Sequence, residues 1–269
     1  GKISWSHPAK ESNDLWILPG GTLLFGNGTG AKEVSFKDNT VKFEYTSKSE
    51  MFAVQRLANG NTFVGECSSG KLLEIAPDGK TIVKETSTLA SKITPKRPLP
   101  GGHTYIRNAR ALPSGNYLAA LYQSGEAVEF NPAGERVWAV KVPGGAHSAV
   151  RLANGNTLVS SCDAQVRKGV SPALYEFDAT GKEVWKVSNA DLDGKPFHFL
   201  SGFQVLPNGN ILVSNWLGHG KFGKAPHLLE ITRDKKVVWT YADHKQFRTI
   251  SSVHVFGEGD APLSGAGSH

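Results

Sequence analysis

One phrase, Arg151-Leu-Ala-Asn-Gly-Asn-Thr-Leu-Val-Ser-Ser161, recurs along the chain. It returns as Arg56-Leu-Ala-Asn-Gly-Asn-Thr-Phe-Val-Gly-Glu66 and as Val205-Leu-Pro-Asn-Gly-Asn-Ile-Leu-Val-Ser-Asn215, with looser copies over Ala111–Leu121 and Ile17–Phe25. Each copy reads as a strand, a turn and a second strand. Asn-Gly suits a two-residue hairpin in which both turn residues take positive φ, a conformation Asn tolerates and Gly accepts without steric cost. A hairpin that recurs every ~40 to 55 residues is a repeat architecture rather than a local accident.

A third short strand follows each hairpin: Leu72–Ile75, Ala127–Phe130, Leu174–Phe177 and Leu228–Ile231. A turn and a fourth strand come next, the latter carrying Trp138, Trp185 or Trp239, with Phe43 and Val83 in the tryptophan place earlier in the chain. Four short antiparallel strands per repeat are the pattern of a β-propeller blade. The fold expected is therefore all-β, a six-bladed β-propeller of four-stranded antiparallel blades occupying residues 1–269 as one domain. Leu18, Leu57, Leu112, Leu152 and Leu206 mark five innermost strands, and Ser251–Phe256 reads as the sixth. Lys2–Ser6 resembles the tryptophan strand of the other blades, so the N-terminal strand is expected to close the ring and remove its open edges.

The phrase [Arg/Val]-Leu-[Ala/Pro]-Asn-Gly-Asn-[Thr/Ile]-[Leu/Phe]-Val, with Gly-x-x-Val-Trp closing later blades, resembles the PQQ-like β-propeller repeat, in particular the arylsulfotransferase-like six-bladed bacterial proteins. The resemblance implies a bacterial, extracytoplasmic protein, periplasmic or secreted. It implies no quinone site: the calcium site and catalytic carboxylate of the quinoproteins have no counterpart here, so PQQ is not supported by the sequence. The catalytic histidine motif of the sulfotransferases also has no counterpart.

Net charge is +6, but Lys and Arg are dispersed rather than gathered into the basic stripe that nucleic acid requires. No run of about 18 apolar residues exists to form a membrane-spanning helix. A monomer is expected. Cys67 and Cys162 occupy equivalent places in blades two and four, too far apart for a disulfide, and should be free, partly buried thiols.

Residues in excess of a ~40-residue repeat fall at 87–103, 163–173, 189–199 and 216–227, all of which a blade of up-and-down strands places on one face. Long loops on a rigid scaffold are where binding and catalysis concentrate. At the loop-bearing strand ends lie His103, Arg107, Asn108, Tyr122, His147, Asp163, His198, Asn215 and Trp216, the expected ligand-binding set around the central mouth. Trp216 departs from the repeat and suits a stacking platform. His254 is expected to pack between blades; His219, His227 and His244 receive no role. The recurrent Glu74, Glu129, Glu176 and Glu230 are read as structural, in turn or interblade hydrogen bonds.

The leading expectation is a binding or interaction protein for a small polar or anionic molecule at that mouth, or for another protein. The alternative is an enzyme with His147, His198 and Arg107 as catalytic residues, a metal-dependent lyase or hydrolase or a sulfotransferase-like protein. A divalent metal, held by His103, His147 and His198, is the cofactor such a histidine set would take.

Overall fold

In the computed structural model, which describes residues 2–89, 105–162 and 169–255, each Asn-Gly phrase forms a three-residue loop rather than the expected two-residue one. Gly60 N–H donates to Leu57 O at 3.0 Å and Leu57 N–H to Asn61 O at 2.9 Å. Gly60 has φ +86, while Asn59 is not among the residues of positive φ. This is a type I turn followed by one left-handed residue. Its cause is the Asn59 side chain, which accepts from Asn61 N–H at 3.0 Å and closes a side-chain turn that mimics a backbone one. Only the glycine then needs the left-handed region. Gly155 and Gly209 repeat the geometry at φ +85 and +82.

Five four-stranded antiparallel blades form among the described residues. Blade one contains β1 (Leu15–Leu18), β2 (Thr22–Asn27), β3 (Gly30–Ser35) and β4 (Val41–Thr46). Blade two contains β5 (Met51–Arg56), β6 (Thr62–Glu66), β7 (Lys71–Ile75) and β8 (Ile82–Ser87). Blade three contains β9 (Ile106–Ala111), β10 (Tyr117–Leu121), β11 (Glu126–Phe130) and β12 (Arg136–Lys141). Blade four contains β13 (Gly145–Arg151), β14 (Thr157–Cys162), β15 (Ala173–Phe177) and β16 (Glu183–Ser188). Blade five contains β17 (Leu200–Val205), β18 (Ile211–Asn215), β19 (Leu228–Ile231) and β20 (Val237–Tyr241).

The expectation of six blades is corrected to five. Residues 251–255 join no ladder among the described residues, and the turn expected at 257–260 lies outside them. A lone innermost segment has no second strand to pair with, so its backbone is met by side chains and it serves as a partner in turn. Val255 N–H donates to Gln204 Oε1 at 2.8 Å on one side, and Ile17 N–H donates to His254 Nδ1 at 3.0 Å on the other. His254 thus lies between β1 and β17, packed as expected. The N-terminal segment is not a strand either: Trp5 packs edge-on against Phe36 with ring centres 4.8 Å apart, on the turn that joins β3 to β4.

The repeat positions explain how blades hold together. The last Asn of each Asn-Gly-Asn phrase donates to the recurrent glutamate of the third strand: Asn61 to Glu74, Asn116 to Glu129, Asn156 to Glu176 and Asn210 to Glu230, at 2.6 to 2.7 Å. An arginine of the following blade reaches back to the glutamate place of the one before, as Arg56–Glu33, Arg151–Glu129 and Arg233–Glu176. Trp138 and Trp185 each donate an indole N–H to a backbone carbonyl of the next blade, at Ala179 and Arg233. Between these polar rims the blades bury apolar layers such as Leu158, Leu174, Phe203 and Val213. Cys67 and Cys162 form no disulfide, as expected, and are wholly rather than partly buried.

Near the axis, Asp14 and Arg110 form a buried ion pair spanning blades one and three. The Asp14 carboxylate accepts from Arg110 Nη1 at 2.8 Å and Nη2 at 3.0 Å, and from Val54 N–H of blade two at 2.9 Å. The pair is 1% and 6% exposed at its side chains, so removing one partner strands a charge away from water. Arg110→Ala is expected to destabilise the fold by about 3–5 kcal/mol, read as a lower urea midpoint. The double variant Asp14→Leu with Arg110→Met should recover most of that loss.

Candidate functional site

Each innermost strand from β5 to β17 slips register by one residue at the same place. Met51 pairs with Glu66 and Ala53 with Gly65, so that the ladder skips Phe52. Arg107 is skipped between the pairs Ile106–Leu121 and Asn108–Ala120. His147 is skipped between Ala146–Ser161 and Ser148–Ser160, and Ser201 between Leu200–Asn215 and Gly202–Ser214. A bulge of this kind inserts one residue that opposes nothing, bends the strand and re-aims a side chain. Here it turns four side chains into one cavity of about 420 Å³, at the loop-bearing end of the central opening.

All four share a sequence position: each stands five residues before the repeat leucine (Leu57, Leu112, Leu152, Leu206). The same offset from Leu18 is Asn13, and from Phe256 it is Ser251, and both also line the cavity. The wall is completed by Phe199, Trp216 and His219, with the carboxylates of Glu11 and Glu50 at the rim.

Arg107 is held flat. Its guanidinium carbon lies 4.5 Å from the ring centres of both Phe52 and Tyr122. Two aromatic faces restrict the rotamers of a long side chain and favour its positive charge. Tyr122 reaches this place only because residue 145 is glycine: a Cβ on Gly145 would stand 2.5 Å from the tyrosine ring.

His147 is 3% exposed. Its ring meets Phe199 edge-to-face at 5.2 Å, with Tyr122 and Phe52 at 6.2 and 6.3 Å. Burial first, and then the positive charge of Arg107, hold its pKa well below the usual 6.5, against a hydrogen bond to the Ser201 backbone that acts in the other direction. The ring is therefore neutral at pH 7. Its Nδ1 atom has no hydrogen-bond partner, so it is an acceptor for a ligand donor, or for a proton. Across the cavity, Trp216 and His219 stand edge-to-face at 4.7 Å, and Phe199 meets Trp216 at 5.3 Å. His219 has φ +50, a conformation costly for a residue with a Cβ and concentrated at functional loops.

Of the residues expected from sequence, Arg107, His147 and Trp216 line the cavity, and Tyr122 supports it from behind. Asn108 does not reach it; its amide lies between the Ala149 backbone and Arg110. Asn215 is wholly buried and ties loops together, accepting from His198 N–H at 2.7 Å and Phe199 N–H at 3.2 Å and donating to Pro196 O and Pro226 O at 3.1 Å. His198 is outside the lining, where Phe199 takes the inward place. His103 and Asp163 lie outside the described residues. Among the described residues no three His, Cys, Asp or Glu side chains gather as a metal site. Phe52, Phe199 and Glu50 went unnoticed in sequence, and His219 was given no role although it lines the cavity; the five-residue offset was the signal that would have found Phe52, Asn13 and Ser251.

No protein-family model matches the chain, and no curated protein matches it in sequence. Among solved structures it is similar to a protein of unknown function from Bacteroides caccae, with TM-score 0.77 and 27% identity over 93% of this chain and 89% of that one. It is similar in fold to virginiamycin B lyase from Staphylococcus aureus, at TM-score 0.55 and 12% identity over 88% of this chain and 72% of that one. The hydrazine synthase of Kuenenia stuttgartiensis is another, at TM-score 0.58 and 14% identity over 88% and 68%. The chain is thus a β-propeller by its own sheets and by its neighbours.

Because the folded pKa of His147 is depressed, its contribution to stability is complete above the unfolded value of about 6.5 and is lost as pH falls below it. Within that window the loss amounts to about 1.4 kcal/mol per pH unit. Urea denaturation between pH 7.5 and 5 should show this slope in the wild type and a shallower one in His147→Gln. Equal slopes would mean that His147 titrates alike in both states.

Proposed function

We propose that the chain is a binding protein whose central cavity takes a small molecule with an anionic group, a flat apolar part and a hydrogen-bond donor. The observation that carries this reading is Arg107, clamped between two rings at a bulge and facing a cavity walled by Phe199, Trp216 and His219. A guanidinium fixed before the ligand arrives loses little rotamer freedom on binding, which favours an anion that offers two oxygens side by side, such as a carboxylate or sulfate. The aromatic wall supplies stacking area, and His147 Nδ1 accepts the ligand's donor. Concave sites with a few convergent polar groups are the usual form of small-molecule sites. Export to an extracytoplasmic compartment remains part of this reading through the PQQ-like resemblance of the repeat phrase.

A second reading is an enzyme with His147 as general base. It is favoured by the neutral imidazole with an unpartnered Nδ1 beside a fixed cation, the pairing needed to take a proton and stabilise the anion left behind. The fold of virginiamycin B lyase shows that such a scaffold can carry lyase chemistry. His198 takes no part in this version, since it does not line the cavity.

Calorimetry with a panel of aromatic carboxylates and sulfates tests both. At least one member should bind one-to-one, and Arg107→Ala should weaken it by about tenfold to a hundredfold, the value of hydrogen bonds to a charged group. A ligand recovered chemically unchanged after long incubation supports the binding protein; a ligand converted by wild type but not by His147→Gln supports the enzyme. Failure of the whole panel, or an Arg107→Ala variant that binds as tightly, would sink the proposal.

A further inference from the structure

A second pair of histidines, outside the central cavity, has no part in the reading above. His227 stands immediately before β19 and is wholly buried. Its backbone is fixed on both sides, its N–H donating to Tyr241 O and its carbonyl accepting from Asn215 N–H, each at 2.8 Å. His244 stands just after β20, in a turn closed by Phe247 N–H on Asp243 O at 2.9 Å and by the Asp243 side chain on Gln246 N–H at 3.0 Å. The two imidazoles face each other with ring centres 4.5 Å apart and planes tilted by 43°. Phe222 covers His244 edge-on at 5.8 Å.

Three ring nitrogens in this pair are buried without a hydrogen-bond partner: Nδ1 and Nε2 of His227, and Nδ1 of His244. Backbone groups at Phe247 and Arg248 and the Asp243 carboxylate approach His227, but none meets either nitrogen in hydrogen-bond geometry. Leaving a buried polar atom unpaired is unfavourable, and native proteins fill most such places with a partner, a water or an ion. Imidazole binds metals through an unprotonated ring nitrogen. Metal–nitrogen bonds of about 2.0–2.1 Å allow two imidazoles to share one ion at about this ring separation.

We propose that His227 and His244 are the protein ligands of one divalent transition-metal ion of the copper, nickel or zinc class, with water completing its coordination. Imidazole donors select this class, with Cu²⁺ the strongest binder in the divalent series. No third protein donor of the His, Cys, Asp or Glu type gathers with them among the described residues, so the site is an accessory clip rather than a closed structural centre. What it would clip is specific. The ion would tie the exit of β20 to the entrance of β19, and the chain runs on from His244 directly to Thr249 and Ser251 in the wall of the central cavity.

The test uses the full chain stripped by chelator and titrated with Cu²⁺ and with Zn²⁺. Calorimetry should show one saturable ion per chain, and the Cu²⁺ electron paramagnetic resonance spectrum should carry coupling from two nitrogens. At a hundredfold excess over Kd the ion should raise Tm by about 5 °C. His244→Gln, at a partly exposed position that should not disturb folding, should weaken binding at least tenfold and remove the two-nitrogen pattern. His219→Gln, at the other cavity, should leave both unchanged. Where His227→Gln folds, it should behave as His244→Gln does; where it does not, the His244 result decides. No saturable ion, or one that binds His244→Gln as tightly, would overturn the assignment and leave water as the partner of the pair.

Discussion

The one-residue slip in the innermost ladders is the constraint on which the site depends. A regular strand at the centre of a propeller alternates between neighbouring blades and would present no continuous wall to the axis. The inserted residue in β5, β9, β13 and β17 breaks that alternation where the strand meets the loop face. Because the break recurs at one repeat position, its side chains form a ring, and the ring can differ in chemistry at every member without disturbing the blades. Phe52, Arg107, His147 and Ser201 are an aromatic, a cation, a neutral base and a hydroxyl built on the same backbone device.

What holds that device in place is a polar frame on each side of it. Towards the axis, the Asp14 carboxylate bonds to Val54 and Arg110, tying together three blades. On the opposite face from the long loops, the asparagine of each phrase and an arginine from the next blade share one glutamate, as at Glu129 and Glu176. Those groups lie at hairpin turns, where the backbone cannot satisfy them, and their mutual satisfaction locks neighbouring blades in register. The aromatic clamp on Arg107 then adds a local constraint, since Tyr122 belongs to the loop after β10 and Phe52 to a different blade.

The blade was legible in sequence because its information is local and repeated: an Asn-Gly turn, an alternating strand, a glutamate, a tryptophan. The number of blades was not, because Ser251–Phe256 carries an innermost pattern without the partner strands that make a blade, and pattern alone cannot show what a strand pairs with. The site was half legible. Arg107, His147 and Trp216 stood out as polar or aromatic departures from the repeat. His198 and Asn215 also stood out, but neither lines the cavity: His198 precedes β17 in the loop, and the Asn215 amide is taken up by loop backbone at His198, Phe199, Pro196 and Pro226. Phe52 and Phe199 looked like ordinary core residues; only the structure shows that they line the cavity. Cys67 and Cys162 form no disulfide, as their places in separate blades required.

The central claim is that the ring of bulge residues is a ligand site. Crystallographic fragment screening tests it most directly, with small aromatic anions soaked into crystals of the wild-type chain. The account predicts that bound fragments gather in the central cavity, with the anionic group on Arg107, the ring against Trp216 or Phe199, and a donor within hydrogen-bond distance of His147 Nδ1. Fragments that gather elsewhere while the cavity holds only water, or innermost strands that run without the register slip at Phe52, Arg107, His147 and Ser201, would contradict it.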